Sequence, residues 1–143
     1  MAPFIYGLFL AGLPYSKTLF TMLFSVVVFL INTAREFIKS IGDVEGDLKL
    51  GYKTIATVYG VKNASRASLI FSIIGSALAV SIGIFGLANL YYTIILGIAG
   101  SIYSYSAYRV YRDYSRDNVL KMKKLMIYMM LLALIGFLLS GLP

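Results

Sequence analysis

Uncharged runs divide the chain. Met1–Ser16, Thr18–Ala34, Ala67–Tyr108 and Leu125–Pro143 contain no Asp, Glu, Lys or Arg. A hydrocarbon core about 30 Å thick requires roughly 20 helical residues. The run Ala67–Tyr108 is 42 residues long, about 63 Å as a helix, so it must turn back once. Gly86-Leu87-Ala88-Asn89 offers the corner, because Gly and Asn tolerate turn geometry. The pattern predicts spans near 2–13, 18–38, 67–85, 90–108 and 124–141, with Pro14 marking the turn after the first. The fold class is all-α, a polytopic transmembrane bundle of about five spans.

Composition agrees with the pattern. The chain has 143 residues, 59% hydrophobic and 13% charged, with mean hydropathy +0.83. A soluble domain carries about 25% charged residues. Cysteine and histidine are absent, which excludes disulfides, thiolate metal sites and imidazole catalysis. Chemistry on this chain falls to carboxylates, Lys, Arg, Tyr and bound ions.

The formal charge of +7 is unevenly placed. Arg35, Lys39, Lys49, Lys53, Lys62 and Arg66 fall in residues 35–66, and Arg109, Arg112, Arg116, Lys121, Lys123 and Lys124 in 109–124. Only Lys17 lies elsewhere. Five alternating spans put both segments on one side, expected as two cytoplasmic loops of a multi-pass cell-membrane protein. That explains the basic balance without nucleic acid as a partner. Gly75, Ala79 and Gly83, and Gly97, Ser101 and Ser104, repeat at close-packing spacing for helices in lipid. Twelve tyrosines, several of them around the fourth span, are expected as interfacial anchors or cavity-lining groups.

The segment REFIKSIGDVEGDLKLGYKT, Arg35 to Thr54, holds four of the six acidic residues. At 100° per residue, Asn32, Glu36, Lys39, Asp43 and Asp47 fall within a stripe about 80° wide, with Arg35 beside it and Glu45 pointing away. The stripe requires that the helix survive Gly42 and Gly46, each costing up to about 1 kcal/mol. Two carboxylates at i, i+4 suit a hard cation such as Mg²⁺, which takes few carboxylates and completes its shell with phosphate and water. Lys49 and Lys53 are point charges for phosphate; Gly51 permits a tight turn; Thr54 offers a donor. The plainer readings are solvated surface charge, or an exposed ion pair of Asp43 with Lys39 or Lys49. Asp113 and Asp117 alternate with Arg112 and Arg116 and are expected to form a salt-bridged helix face.

The run TAREFIKSIGDVEGDLKLGYKTIATVYG, Thr33–Gly60, resembles the second aspartate-rich motif of the UbiA family of intramembrane prenyltransferases, and within it the archaeal digeranylgeranylglyceryl phosphate synthase branch. The resemblance implies the C-terminal five helices of a nine-helix fold. It implies Mg²⁺-dependent transfer of a prenyl group, geranylgeranyl in that branch, from a polyprenyl diphosphate to a lipid or aromatic acceptor such as geranylgeranylglyceryl phosphate. On it, Asp43 and Asp47 are the metal ligands and Lys53 a diphosphate contact. Asn32, Arg35, Glu36 and Lys39 are supporting residues nearby. The family's first motif, N-D-x-x-D-x-x-x-D, has no counterpart in the 143 residues. The expectation is therefore a half-site that turns over little alone and works with an N-terminal half chain. The alternative is a non-catalytic membrane remnant or assembly partner that keeps the fold.

Overall fold

The computed structural model describes residues 15–140. The expected span 2–13 and Pro14 lie outside them. Five helices follow in order: α1 (Tyr15–Leu50), α2 (Ile55–Tyr59), α3 (Val61–Ile84), α4 (Leu90–Arg112) and α5 (Arg116–Leu139). The bundle is all-α, as the pattern predicts.

The helices run past the hydropathy boundaries. Residues 35–66, expected as a loop, are helical except for 51–54 and Gly60. The expected loop 109–124 shrinks to residues 113–115. The correction has a simple cause. Charge marks where lipid ends, whereas a helix continues as long as its buried face has a partner. The helix also survives Gly42 and Gly46, as the polar stripe requires. Ile38 and Ile41 are buried in the core and Val44 packs against it. A Cβ on Gly42 would lie 3.3 Å from Val119 Cγ1. Tertiary contact thus outweighs the glycine penalty. The helix stops at Gly51, whose φ of 73° lets Tyr52 N–H donate to Asp47 O at 2.9 Å.

Contacts set the topology. Ser68 Oγ donates to Ala34 O at 2.8 Å, and Gly75 faces Leu30 and Ile31, so α3 descends antiparallel to α1. Ser76 Oγ donates to Gly100 O at 3.1 Å, and Gly83 lies against Thr93, so α4 ascends along α3. The corner between them carries Gly86 at φ 73° and Asn89 as the cap of α4, close to the expected place. Asn89 Nδ2 donates to Leu139 O at 2.8 Å, tying that corner to the end of α5. Asn118 Nδ2 donates to Arg109 O and Asp113 O at 3.1 and 2.8 Å, closing the α4–α5 turn. α5 returns to α1 with much lighter contact than the sequential neighbours make.

Small residues carry the close approaches, though not all the expected ones do. Gly75, Ala79 and Gly83 face neighbouring helices. Gly97 has nothing within 4 Å of a built Cβ, and Ser101 is exposed. Gly100 takes that role instead, against Ser76, with Ser104 bonded to Ser76 Oγ at 3.1 Å. Helices α1, α3 and α5 are long and apolar enough to cross a membrane. α4 is as long, but its six tyrosines and three serines make it less apolar.

Candidate functional site

The site lies along one face of α1. Its inner part borders a partly open cavity of about 370 Å³ lined by α1, α3, α4 and α5. The lining is apolar except for Asn32, Arg35, Ser76 and Tyr103. At the far end Phe24 stacks on Phe137 with ring centroids 4.2 Å apart, and Tyr92 meets Phe24 edge-on at 6.2 Å. At the other end the α1 face emerges as Glu36, Lys39 and Asp43, all exposed, and Asp47, half-buried.

Two hydroxyls from other helices hold α1 in rotation. Tyr103 Oη donates to Ile31 O at 2.7 Å, and Ser68 Oγ to Ala34 O at 2.8 Å. Both residues are essentially fully buried. The two acceptor carbonyls sit one turn before the charged face. Their bonds therefore fix which way Asn32, Arg35 and the acids beyond them point. The sequence singled out Tyr103 only as one tyrosine among many, and gave no signal for Ser68.

The expected site residues separate into two groups. Arg35 Nη1 lies 3.3 Å from Glu36 Oε1, and Lys39 Nζ 3.5 Å from Glu36 Oε2. These three charges form a triad in which Glu36 and Lys39 are exposed and Arg35 is half-buried. Asp43 and Asp47 have no ion-pair partner among the described residues, so the expected pairing of Asp43 with Lys39 or Lys49 does not form. Lys49 ends α1 and Lys53 sits in the turn beyond it, both exposed. Thr54 is committed elsewhere: its Oγ1 accepts Thr57 N–H at 3.4 Å and caps α2.

The Asp113–Asp117 segment also departs from expectation. Neither acid forms an ion pair among the described residues. Asp113 instead accepts from Ser115 N–H and Ser115 Oγ, each at 2.9 Å. Those bonds, the backbone one foremost, hold its carboxyl below the usual carboxylate range.

The membrane-type bundle of apolar helices agrees with the resemblance. Residues 1–135 match the UbiA prenyltransferase family. The chain belongs to that family. With the three apolar helices, membership makes it a multi-pass membrane protein. Similar UbiA-family proteins include digeranylgeranylglyceryl phosphate synthases from three archaea. That of Methanosphaera stadtmanae is 35% identical over 114 residues, covering 80% of this chain and 42% of that protein. That of Thermococcus sibiricus is 38% identical over 120 residues, covering 82% and 41%. That of Archaeoglobus fulgidus is 29% identical over 141 residues, covering 95% and 47%. The chain thus spans less than half the length of these curated relatives. A solved structure from work on digeranylgeranylglyceryl phosphate synthase in membranes matches with a TM-score of 0.79. It covers 91% of this chain and 45% of that one at 22% identity, and it supports the UbiA fold.

Proposed function

We propose that this chain supplies the second acidic motif and part of the lipid cavity for prenyl transfer. The donor is a polyprenyl diphosphate, and the acceptor is the hydroxyl of a glycerol phosphate lipid of the geranylgeranylglyceryl phosphate kind. The observation that carries the reading is the unpaired Asp43–Asp47 couple at the open end of the α1 face whose inner end lines an apolar cavity. The relatives' names support the acceptor class.

The donor set fits Mg²⁺. Asp43 and Asp47 offer hard oxygen ligands one helical turn apart, with no competing ion pair. No cluster of three or more acidic residues occurs among the described residues. The chain itself therefore offers two ligands, which suits an ion that shares its shell with phosphate and water. Bound there, Mg²⁺ would neutralise charge on the departing diphosphate. Lys49 and Lys53 would add positive charge there. The apolar cavity holds a hydrocarbon tail and excludes water from the allylic centre. By the positive-inside rule this end of the bundle is cytoplasmic.

The test is binding of geranylgeranyl diphosphate to the full chain in detergent, with and without Mg²⁺. Binding that requires Mg²⁺ and is lost in Asp43→Asn/Asp47→Asn supports the reading. Binding indifferent to both means a hydrophobic tail in an apolar bundle, and a non-catalytic membrane role then replaces the enzymatic one.

A further inference from the structure

The four polar side chains of the cavity are not equally satisfied. Asn32 Nδ2 donates to Val28 O at 3.0 Å, Ser76 Oγ to Gly100 O at 3.1 Å and Tyr103 Oη to Ile31 O at 2.7 Å. Arg35 differs. Its Nε is shut off from solvent and has no hydrogen-bond partner among the described residues. Its Nη1 meets Glu36 Oε1 only at 3.3 Å, longer than the roughly 2.7–2.9 Å of a strong charge-assisted bond. Glu36 is also shared with Lys39, and its side chain is 56% exposed. The guanidinium therefore keeps a free donor and much of its charge at the rim of an apolar cavity. A buried N–H without a partner is costly unless something answers it. An anionic group does so best, because a guanidinium matches phosphate in both charge and geometry.

That anion differs from the one the acids would hold through a metal. Arg35 and Asp43 are eight residues apart on one continuous helix, about 12 Å along its axis and about 80° around it. The cavity side of Arg35 carries no charged residue besides Arg35 itself, and the acids lie beyond it toward the open end. The two sites thus occupy different levels of one face.

We propose that Arg35 is the anchor for the phosphate of the acceptor lipid, separate from the diphosphate at Asp43 and Asp47. The proposal rests on the prenyl-transfer reading above. It makes Arg35 the residue that tells a glycerol monophosphate lipid from a neutral glycerol lipid. A neutral head group would leave Nε unanswered, and the glycerol hydroxyl that must be prenylated would lose its tether.

The test compares two ligands without Mg²⁺ on the full chain in detergent. One is geranylgeranylglyceryl phosphate and the other is its dephosphorylated alcohol. The wild type is expected to prefer the phosphate by roughly ten- to a hundredfold, the range of a charged hydrogen-bond pair. Arg35→Gln should bind both ligands alike, at the alcohol's affinity. Arg35→Lys, which keeps the charge but not the fork, should retain part of the preference and shows that the fold tolerates the position. Mg²⁺-dependent binding of geranylgeranyl diphosphate should fall far less in Arg35→Gln than binding of the phosphate ligand does. Equal wild-type affinity for the two ligands, or a preference that survives in Arg35→Gln, overturns the proposal. So does an equal loss of diphosphate binding in Arg35→Gln, which would put Arg35 in the diphosphate site. If diphosphate binding ignores Asp43→Asn/Asp47→Asn while the phosphate preference still depends on Arg35, the metal reading fails and the anchor stands.

Discussion

Between Lys17 and Ala34, α1 turns its polar side chains back on its own backbone. Thr21, Ser25, Asn32 and Thr33 each donate to the carbonyl four residues earlier, at 2.8 to 3.0 Å. Between Arg35 and Leu50 the same helix carries its charges outward, and beyond the Arg35–Glu36–Lys39 triad none is paired among the described residues. The contrast follows the solvent. In hydrocarbon every donor needs an internal partner. At the membrane edge water satisfies a carboxylate, so an unpaired acid there costs little and stays available to a cation. One continuous helix thus joins a segment that closes on itself to one that remains open to ligands.

The largest expected effect falls on the open segment. Asp43→Asn/Asp47→Asn should reduce Mg²⁺-dependent geranylgeranyl diphosphate binding by roughly a hundredfold or more, since two charge-assisted contacts are lost. The same variant should shift unfolding in detergent by no more than about 0.5 kcal/mol, as surface changes generally do. A large loss of stability would mean that these acids hold the fold and would erase the contrast.

Next come the tight approaches between helices in the apolar part of the bundle. A Cβ on Gly136 would sit 2.7 Å from Leu96 Cδ2, and one on Gly83 would run into Thr93. Gly83→Val or Gly136→Val should destabilise the bundle by about 1–3 kcal/mol. Gly97→Ala, with open space around it, should be neutral or stabilising by up to about 1 kcal/mol. Thermal unfolding of the three variants in one detergent checks the order.

A smaller effect probes the link between the two segments. Tyr103→Phe and Ser68→Ala each remove one interhelical bond to α1, worth about 0.6 kcal/mol in membrane bundles. Ligand binding at Arg35 and at Asp43–Asp47 should weaken by more than this stability loss implies, because α1 is then freer to rotate. Affinities that hold steady would show that packing alone orients the face.

The smallest effect lies at the α4–α5 turn. Ser115 bonds lower the Asp113 pKa. A depressed folded-state pKa contributes stability above the unfolded value, and that contribution is lost as pH falls through the folded one. Ser115→Ala removes the hydroxyl bond and keeps the larger backbone one, so it should raise the Asp113 titration midpoint only part of the way, read by NMR. An unmoved midpoint would show that the backbone bond alone sets it.

Hydropathy and charge spacing were enough to predict an all-α bundle, the corner at Gly86–Asn89 and the segment that carries the acids. Those features depend on local composition and on the thickness of the bilayer. The motif at Thr33–Gly60 pointed to the family because its residues are contiguous along the chain. Helix ends were not predictable in this way. Gly42 and Gly46 weaken a helix in isolation, and only the packing of Ile38, Ile41 and Val119 holds α1 together through them. Nor did spacing separate Gly97 from Gly100, which differ by three residues and face opposite environments. By itself the sequence determined the fold class, the membrane setting and the acidic motif, since each is written in residues near one another. The tertiary structure alone decided the cavity, the buried bonds from Tyr103 and Ser68, and the unanswered donor on Arg35. These arise where helices distant in sequence meet, and a partner across the bundle leaves no mark in the local pattern.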